Sequence, residues 1–223
     1  MRLLVTRPLP GGEATAARLA TLGHASVLAP LMAAEPLAWL PPATPPQAIM
    51  LTSAFAARLA AADAWHDLPA YVVGAATAMA ARLAGFVDIR DGGGTVQALL
   101  DAAAAAGITA LLHLAGEDRT LVVIPAGLRV DTRTVYRARL LPLVAVPAVD
   151  WVLLYSARTA GHFAAECDRL GVDRATIAIA ALSAGIIAAA GPGWQATLAA
   201  PEPSETALLA AIGATCQKGT SQP

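Results

Sequence analysis

The stretch Tyr71–Gly85, YVVGAATAMAARLAG, leaves a chain like this few folds to choose from. Tyr71-Val72-Val73 is a short apolar run, the mark of a buried strand. Gly74-Ala75-Ala76-Thr77 is a tight turn of small residues. Ala78–Ala84 reads as helix, with Met79, Leu83 and Phe86 on one face and Arg82 off it. Thr77 stands at the expected N-cap, where a hydroxyl accepts a backbone N–H of the first turn. The other amides of that turn face outward with the positive end of the helix dipole behind them. Small side chains open the backbone to close approach. A phosphate or a carboxylate suits such a place. One strand–turn–helix junction says little, because every α/β protein has several.

This one occurs twice. Ile177–Gly191, IAIAALSAGIIAAAG, repeats strand, small turn, hydroxyl, alanine, helix and closing glycine. Thr77-Ala78 matches Ser183-Ala184, and Gly85 matches Gly191. The unit upstream repeats as well: Ile49–Ala54 (IMLTSA) matches Val152–Ala157 (VLLYSA), each a strand ending in hydroxyl residues and then a helix. The predicted fold class is therefore α/β, with two similar parallel-sheet halves. Each half places polar turns at the carboxyl ends of its strands, the edge where open parallel sheets bind ligands.

Composition narrows the partners. The chain has 223 residues, a net charge of −1 and a pI near 6.4, which gives no electrostatic footprint for nucleic acid. Mean hydropathy is +0.58, but alanine supplies much of it and carries little transfer energy. Ala175–Gln195 lies in the longest uncharged run and is the one candidate span. Ser183, Pro192 and its glycines break it, and it follows the pattern of the repeat rather than that of a membrane span. Arg2 leads straight into a strand, and Pro8, Pro10, Gly11 and Gly12 interrupt any leader-like core. Cys167 and Cys216 are too few and too far apart for a disulfide framework or a metal site. A cytoplasmic protein without membrane contact is the expectation. Lys218 is the only lysine among fifteen basic residues. Codon bias explains that, and carboxylate recognition by arginine forks is compatible with it.

Along the chain, Leu3-Leu4-Val5 is a strand that leaves through Thr6-Arg7-Pro8. Arg7, at a strand's carboxyl end, is the best single basic candidate for facing a ligand. A helix follows from Gly11-Gly12 to about Leu22, then a strand over Ala25–Ala29. Glu35–Gln47 contains five prolines and reads as linker and loop. A helix is predicted over Phe55–Ala64. The triglycine Gly92-Gly93-Gly94 lacks the lysine and hydroxyl of a P-loop, so it reads as a loop with Thr95 as N-cap. His113 on the strand Leu111–Leu114 reads as an ordinary core or surface histidine. A short helix is expected over Arg119–Ala126, and the last helix over Glu205–Ala214. The two linkers Ala33–Pro42 and Pro142–Pro147 bracket the middle. One domain is thus inserted in the other: residues 1–35 and 141–223 form the first and 39–135 the second. Residues 36–38 and 136–140 form a two-stranded hinge linker, with a cleft expected between the two sets of strand ends.

Taken in order, Thr6-Arg7-Pro8, Thr52-Ser53, Val73-Gly74-x-x-Thr77-Ala78 with Gly85-Phe86, Leu114-x-Gly116, Val135-Tyr136, Tyr155-Ser156-Ala157 and Leu182-Ser183-Ala184 resemble the uroporphyrinogen-III synthase family over nearly the whole chain. Each motif is short. Their order, the two linkers and the length make the resemblance specific. It implies an inserted two-domain α/β lyase that needs no cofactor. The substrate would be hydroxymethylbilane, an open tetrapyrrole bearing acetates and propionates, closed with loss of water and inversion of the last ring. It implies Tyr136 as the catalytic residue. It implies substrate contacts from Thr6, Arg7, Pro8, Thr52, Ser53, Gly74, Thr77, Ala78, Gly116, Ser156, Ala157 and Ser183, with Arg137 or Arg158 adding charge. No helix shows a long exposed heptad seam, so a monomer is expected, and the resemblance adds a transient contact with the preceding deaminase. Serine stands at 183 where threonine is commoner, and Phe55 stands where the family often has a polar residue. Rival readings are a hinged clamp that binds a polyanion without chemistry, a degenerate synthase kept as a scaffold, and a nucleotide-binding regulator. The last would need a glycine-rich first turn, and Thr6-Arg7-Pro8 is not one.

Overall fold

The structure is a computed structural model describing residues 1–60, 65–119 and 121–219, with side chains through 213. In chain order the elements are β1 (Arg2–Val5), α1 (Gly11–Thr21), β2 (Ala25–Leu28), β3 (Met32–Pro36), β4 (Ala48–Leu51), α2 (Ala54–Leu59), β5 (Ala70–Val72), α3 (Gly74–Leu83), β6 (Ile89–Asp91), α4 (Val96–Ala105), β7 (Ala110–Gly116) and β8 (Arg129–Leu140). They continue with β9 (Trp151–Leu154), α5 (Ala157–Arg169), β10 (Ala178–Ala181), α6 (Ala184–Ala190), β11 (Ala196–Ala199) and α7 (Glu205–Gly219). The chain divides into two compact units: Met1–Ala33 with Arg139–Pro223, and Ala34–Ala138.

The first unit is a five-stranded sheet in the order β11-β10-β9-β1-β2, with every paired neighbour parallel. Leu4, Val152, Leu154 and Ile179 face one way, against Ala160 and Phe163 of α5. Leu3, Val5 and Leu153 face the other way, against Leu19 of α1 and Leu208 and Ile212 of α7. A sheet covered on both faces needs apolar residues at successive positions, and this is why its strands read as continuous runs.

The Ala34–Ala138 unit is a six-stranded sheet in the order β3-β8-β7-β4-β5-β6. From β8 to β6 its neighbours pair in parallel. Ile49, Leu51, Val72 and Leu112 pack against the alanines of α2 and α3, and Met50, Tyr71 and Leu111 pack against Leu99, Leu100 and Ala103 of α4. The order β6-β5-β4-β7-β8 is that of β11-β10-β9-β1-β2, so the two units share one topology, as their repeated motifs predict. They differ where α1 joins β1 to β2. The corresponding segment between β7 and β8 has no helix among its described residues, and the helix expected over Arg119–Ala126 is absent. Val122, Val123 and Ile124 are β-branched and Pro125 follows them, a poor helix sequence. Gln97 holds this segment open instead: its amide nitrogen donates to the Val123 carbonyl at 2.9 Å and its oxygen accepts the Val123 N–H at 3.0 Å.

Other expectations shift in the folded chain. Helix α3 begins at Gly74 rather than after Thr77, and Thr77 is buried inside its first turns without capping it. Gly74 has φ +75°, a left-handed value that glycine takes without a side-chain clash, so the chain turns directly from β5 into the helix. Strand register shows the offset. Leu51 pairs with Val72 and Leu154 with Ala181, which sets Ser183 opposite Gly74 rather than Thr77. The large residues of α3 also point outward: Met79 is 56% and Leu83 82% exposed, while Ala78, Ala80 and Ala81 face the core. The described part of α2 ends at Leu59, and residues 61–64 of the helix expected there lie outside the described residues. Helix α7 runs on to Gly219. No helix among the described residues is long and apolar enough to cross a membrane, and Ala175–Gln195 folds instead as a 3₁₀ turn, β10 and α6.

Candidate functional site

In the Ala34–Ala138 unit a cavity of about 500 Å³ opens beyond the carboxyl ends of β4 and β7, the edge favoured for ligands in parallel sheets. Its polar wall is built by Thr52, His113, Gly116, Asp118, Arg119, Thr132 and Tyr136. Its apolar wall comes from Val96, at the start of α4, and from Leu121 and Val122. A register shift between Ala115 and Gly116 in the β7–β8 pairing sets Gly116 directly beside Tyr136. A Cβ on Gly116 would lie 2.7 Å from the Tyr136 ring carbon Cζ and 2.8 Å from its hydroxyl, so only glycine lets the ring lie there. Phe55 packs against that ring in an edge-to-face contact, at 5.1 Å between centroids. No described residue accepts a hydrogen bond from the Tyr136 hydroxyl.

Asp118 and Arg119 bring opposite charges to the cavity lining. Arg119 forms no ion pair with the described residues, which leaves a guanidinium fork to offer a carboxylate. His113 is 8% exposed, and its Nε2 lies 3.1 Å from the Thr52 hydroxyl. Burial, with Arg119 adding to it, pushes the His113 imidazole down to about 4. The unfolded chain therefore takes up this proton near pH 6.5 and the folded chain only near pH 4. As pH falls across that window the fold loses stability, by up to about 3 kcal/mol from this one group. Urea unfolding of His113→Leu measured from pH 7 to pH 4 should show a flatter dependence than the parent.

In the other unit several motif residues are engaged by the protein itself. Thr6 is fully buried, and its hydroxyl donates to the Leu153 carbonyl at 2.6 Å, stitching β1 to β9 rather than facing a ligand. Arg7 does not stand as an open cation. It lies 3.3 Å from Glu205 at the start of α7 and stacks over Tyr155 at 4.8 Å. Glu205 also accepts from Thr15, from Arg18 and, at 2.9 Å, from the Tyr155 hydroxyl. The Pro8 carbonyl accepts the Gly12 amide at 3.0 Å, a turn contact at the entry to α1. Ser156 caps α5 by accepting the Thr159 amide at 3.2 Å, next to the exposed Ala157. Ser183 occupies the N-cap of α6 with no capping bond from its hydroxyl.

A family model described as uroporphyrinogen-III synthase HemD matches residues 13–210. The chain belongs to the uroporphyrinogen-III synthase family. No curated protein matches the sequence. Among solved structures, the uroporphyrinogen-III synthetase of Helicobacter pylori is similar, with a TM-score of 0.63 at 14% identity over 96% of this chain and 98% of that one. A mutant uroporphyrinogen III synthase from Thermus thermophilus aligns at 17% identity over 98% and 99% of the two chains, with a TM-score of 0.48. At such identities the Helicobacter likeness speaks for the fold alone.

Of the motif residues that carry the likeness to the synthase family, Thr52, Gly116 and Tyr136 meet in one cavity. Ser53, beside Thr52, caps α2 by accepting the Ala56 amide at 3.0 Å. Gly74 donates its amide to the Asp91 carboxylate at 3.4 Å, so the chain's own acid sits at the start of α3, where an outside anion was expected. Thr77 and Ala78 are on the buried, core-facing side of that helix. Arg137 pairs with Glu35 at 3.0 Å and is less available for a substrate than its position suggests. In the sequence His113 reads as an ordinary histidine and Arg119 only as the start of a short helix. The available signal was a histidine interrupting the apolar run Leu111–Leu114, on a strand with both faces covered. Arg119 carried no local signal, because only the open segment after β7 brings it to the cavity.

Proposed function

We propose that this member of the family is a uroporphyrinogen-III synthase: a lyase that closes hydroxymethylbilane to uroporphyrinogen III with loss of water and inversion of the last pyrrole ring. The observation that carries the reading is the cavity of the Ala34–Ala138 unit. A tyrosine hydroxyl and an arginine, neither engaged by the described residues, share it with an apolar wall, a combination suited to a pyrrole that bears carboxylates. Arg119 takes a side-chain carboxylate, and Leu121 and Val122 lie against ring faces. Tyr136 donates its proton to the terminal hydroxyl of the bilane, which departs as water and leaves an azafulvenium cation beside the Tyr136 oxyanion. The last ring then attacks through its substituted carbon, and the spiro intermediate fragments and recloses inverted. The proton released when the new ring regains aromaticity returns to the Tyr136 oxygen. Uncatalysed closure is already fast and gives the uninverted isomer, so the protein's main task is to bring the substituted carbon into reach. In this reading the amides near Ser156, Ala157 and Ser183 add binding contacts. No cofactor takes part, and the enzyme works as a cytoplasmic monomer fed by the preceding deaminase.

The test is a coupled assay. Porphobilinogen and its deaminase generate hydroxymethylbilane in place, the protein is added, and the oxidised uroporphyrins are separated by chromatography. Isomer III should predominate with the protein present and give way to isomer I when it is left out. Isomer I alone, from protein shown to be folded, would sink the catalytic reading.

A further inference from the structure

His113 sits where the sheet otherwise stores hydrocarbon. It pairs in register with Met50 on β4 and Thr132 on β8, and Leu111 and Met50 near it are each 1% exposed. A leucine there would bury more apolar area and lose no hydration. The imidazole is retained beside the Thr52 hydroxyl, at 3.1 Å, and the pair opens on the cavity of Tyr136 and Arg119. The titratable and charged groups facing that cavity are Arg119 and Asp118 from the segment after β7 and Tyr136 from β8. Thr52 after β4, Thr132 of β8 and Val96 of α4 carry no charge. The cationic neighbour and the burial together keep the ring neutral at physiological pH.

We propose that His113 is a positioning residue of the cyclisation site: its Nε2 accepts the Thr52 hydroxyl proton and so turns the Thr52 oxygen lone pairs into the cavity to receive a pyrrole N–H of the bilane. This rests on the synthase reading. The need for an acceptor follows from the substrate class. Arg119 and Tyr136 are donors and serve carboxylates and the leaving hydroxyl, whereas ring N–H groups require an acceptor. A protonated ring would donate to Thr52 instead and reverse its polarity, which is why a neutral imidazole matters here.

The experiment joins two readouts. In protein labelled with ¹⁵N-histidine, His113 Nε2 should show a pyridine-type shift at pH 7, and a pyrrole-type shift would overturn the proposal. In the coupled assay, Thr52→Val and His113→Leu should each lower kcat/KM about tenfold, and the double variant no further. His113→Gln, whose amide oxygen accepts the same proton, should recover most of the loss. If the histidine only fills space, His113→Leu will keep kcat/KM and raise stability, and the proposal fails while wild-type isomer III production still supports the synthase. If folded wild-type protein makes only isomer I, the synthase reading fails and the role of His113 falls with it.

Discussion

Tyr136→Phe is expected to lower turnover by roughly tenfold or more with little change in stability. The ring is held by packing, edge-on to Phe55 and against the bare backbone of Gly116, and phenylalanine keeps both contacts. The hydroxyl has no protein acceptor among the described residues, so its removal orphans nothing and exposes no buried group. The loss should therefore fall on the step in which the terminal hydroxyl departs. Both kcat and kcat/KM should drop together, the pattern of an interaction made only in the transition state. Initial rates of isomer III formation and a thermal melt on the same preparation decide the matter. Unchanged turnover would remove Tyr136 from the chemistry.

Gly116→Ala should produce a loss of similar size by a different physical route. The new methyl group would meet the Tyr136 ring at 2.7–3.0 Å, closer than carbon atoms tolerate, and the nearest yielding part is the ring itself. Gly116 is not in the left-handed region, so the backbone accepts alanine without strain and the cost falls on the ring's position. Tyr136 should swing away from the cavity while the sheet stays paired. The sharper test is the double variant. Once the ring is displaced its hydroxyl contributes nothing, so Gly116→Ala with Tyr136→Phe should be no slower than either change alone. Full activity in Gly116→Ala, with the circular-dichroism spectrum unchanged, would mean that the observed ring position is not the working one.

Residues whose environment is local were legible in the sequence. The apolar runs at 3–5, 49–51, 111–114 and 152–154 are interior strands, and they read clearly because both faces of each sheet are covered. Thr95 caps α4 as expected, and Ser53 and Ser156, read only as hydroxyls at strand ends, cap α2 and α5, each an interaction spanning three residues. Among the strands passed over are β3, β6 and β11, each at an edge of its sheet, and the 129–135 part of β8, of which only the linker at 136–140 was expected. Edge strands are short and partly solvated, so they carry neither an apolar run nor a clear alternation. Thr77 was misplaced for a related reason. The closing glycines invited an alignment of the two repeats from the helix end, whereas α3 is ten residues long and α6 seven, and the offset shows only in strand pairing.

The sequence by itself determined the family, the α/β class and the repetition of one strand–turn–helix unit, because each is written in residue types a few positions apart. Tertiary structure alone decided which polar groups are spent and which remain open. Arg7 is taken up by Glu205, 198 positions away, and Thr6 by the Leu153 carbonyl, 147 positions away. His113 meets Thr52 across 61 positions because β7 and β4 are neighbours in the sheet, and Arg119 reaches the same cavity because the segment after β7 forms no helix among its described residues. A hydrogen bond reaches about 3 Å, so whether a side chain is engaged depends on what strand order places beside it, and spacing along the chain does not encode that.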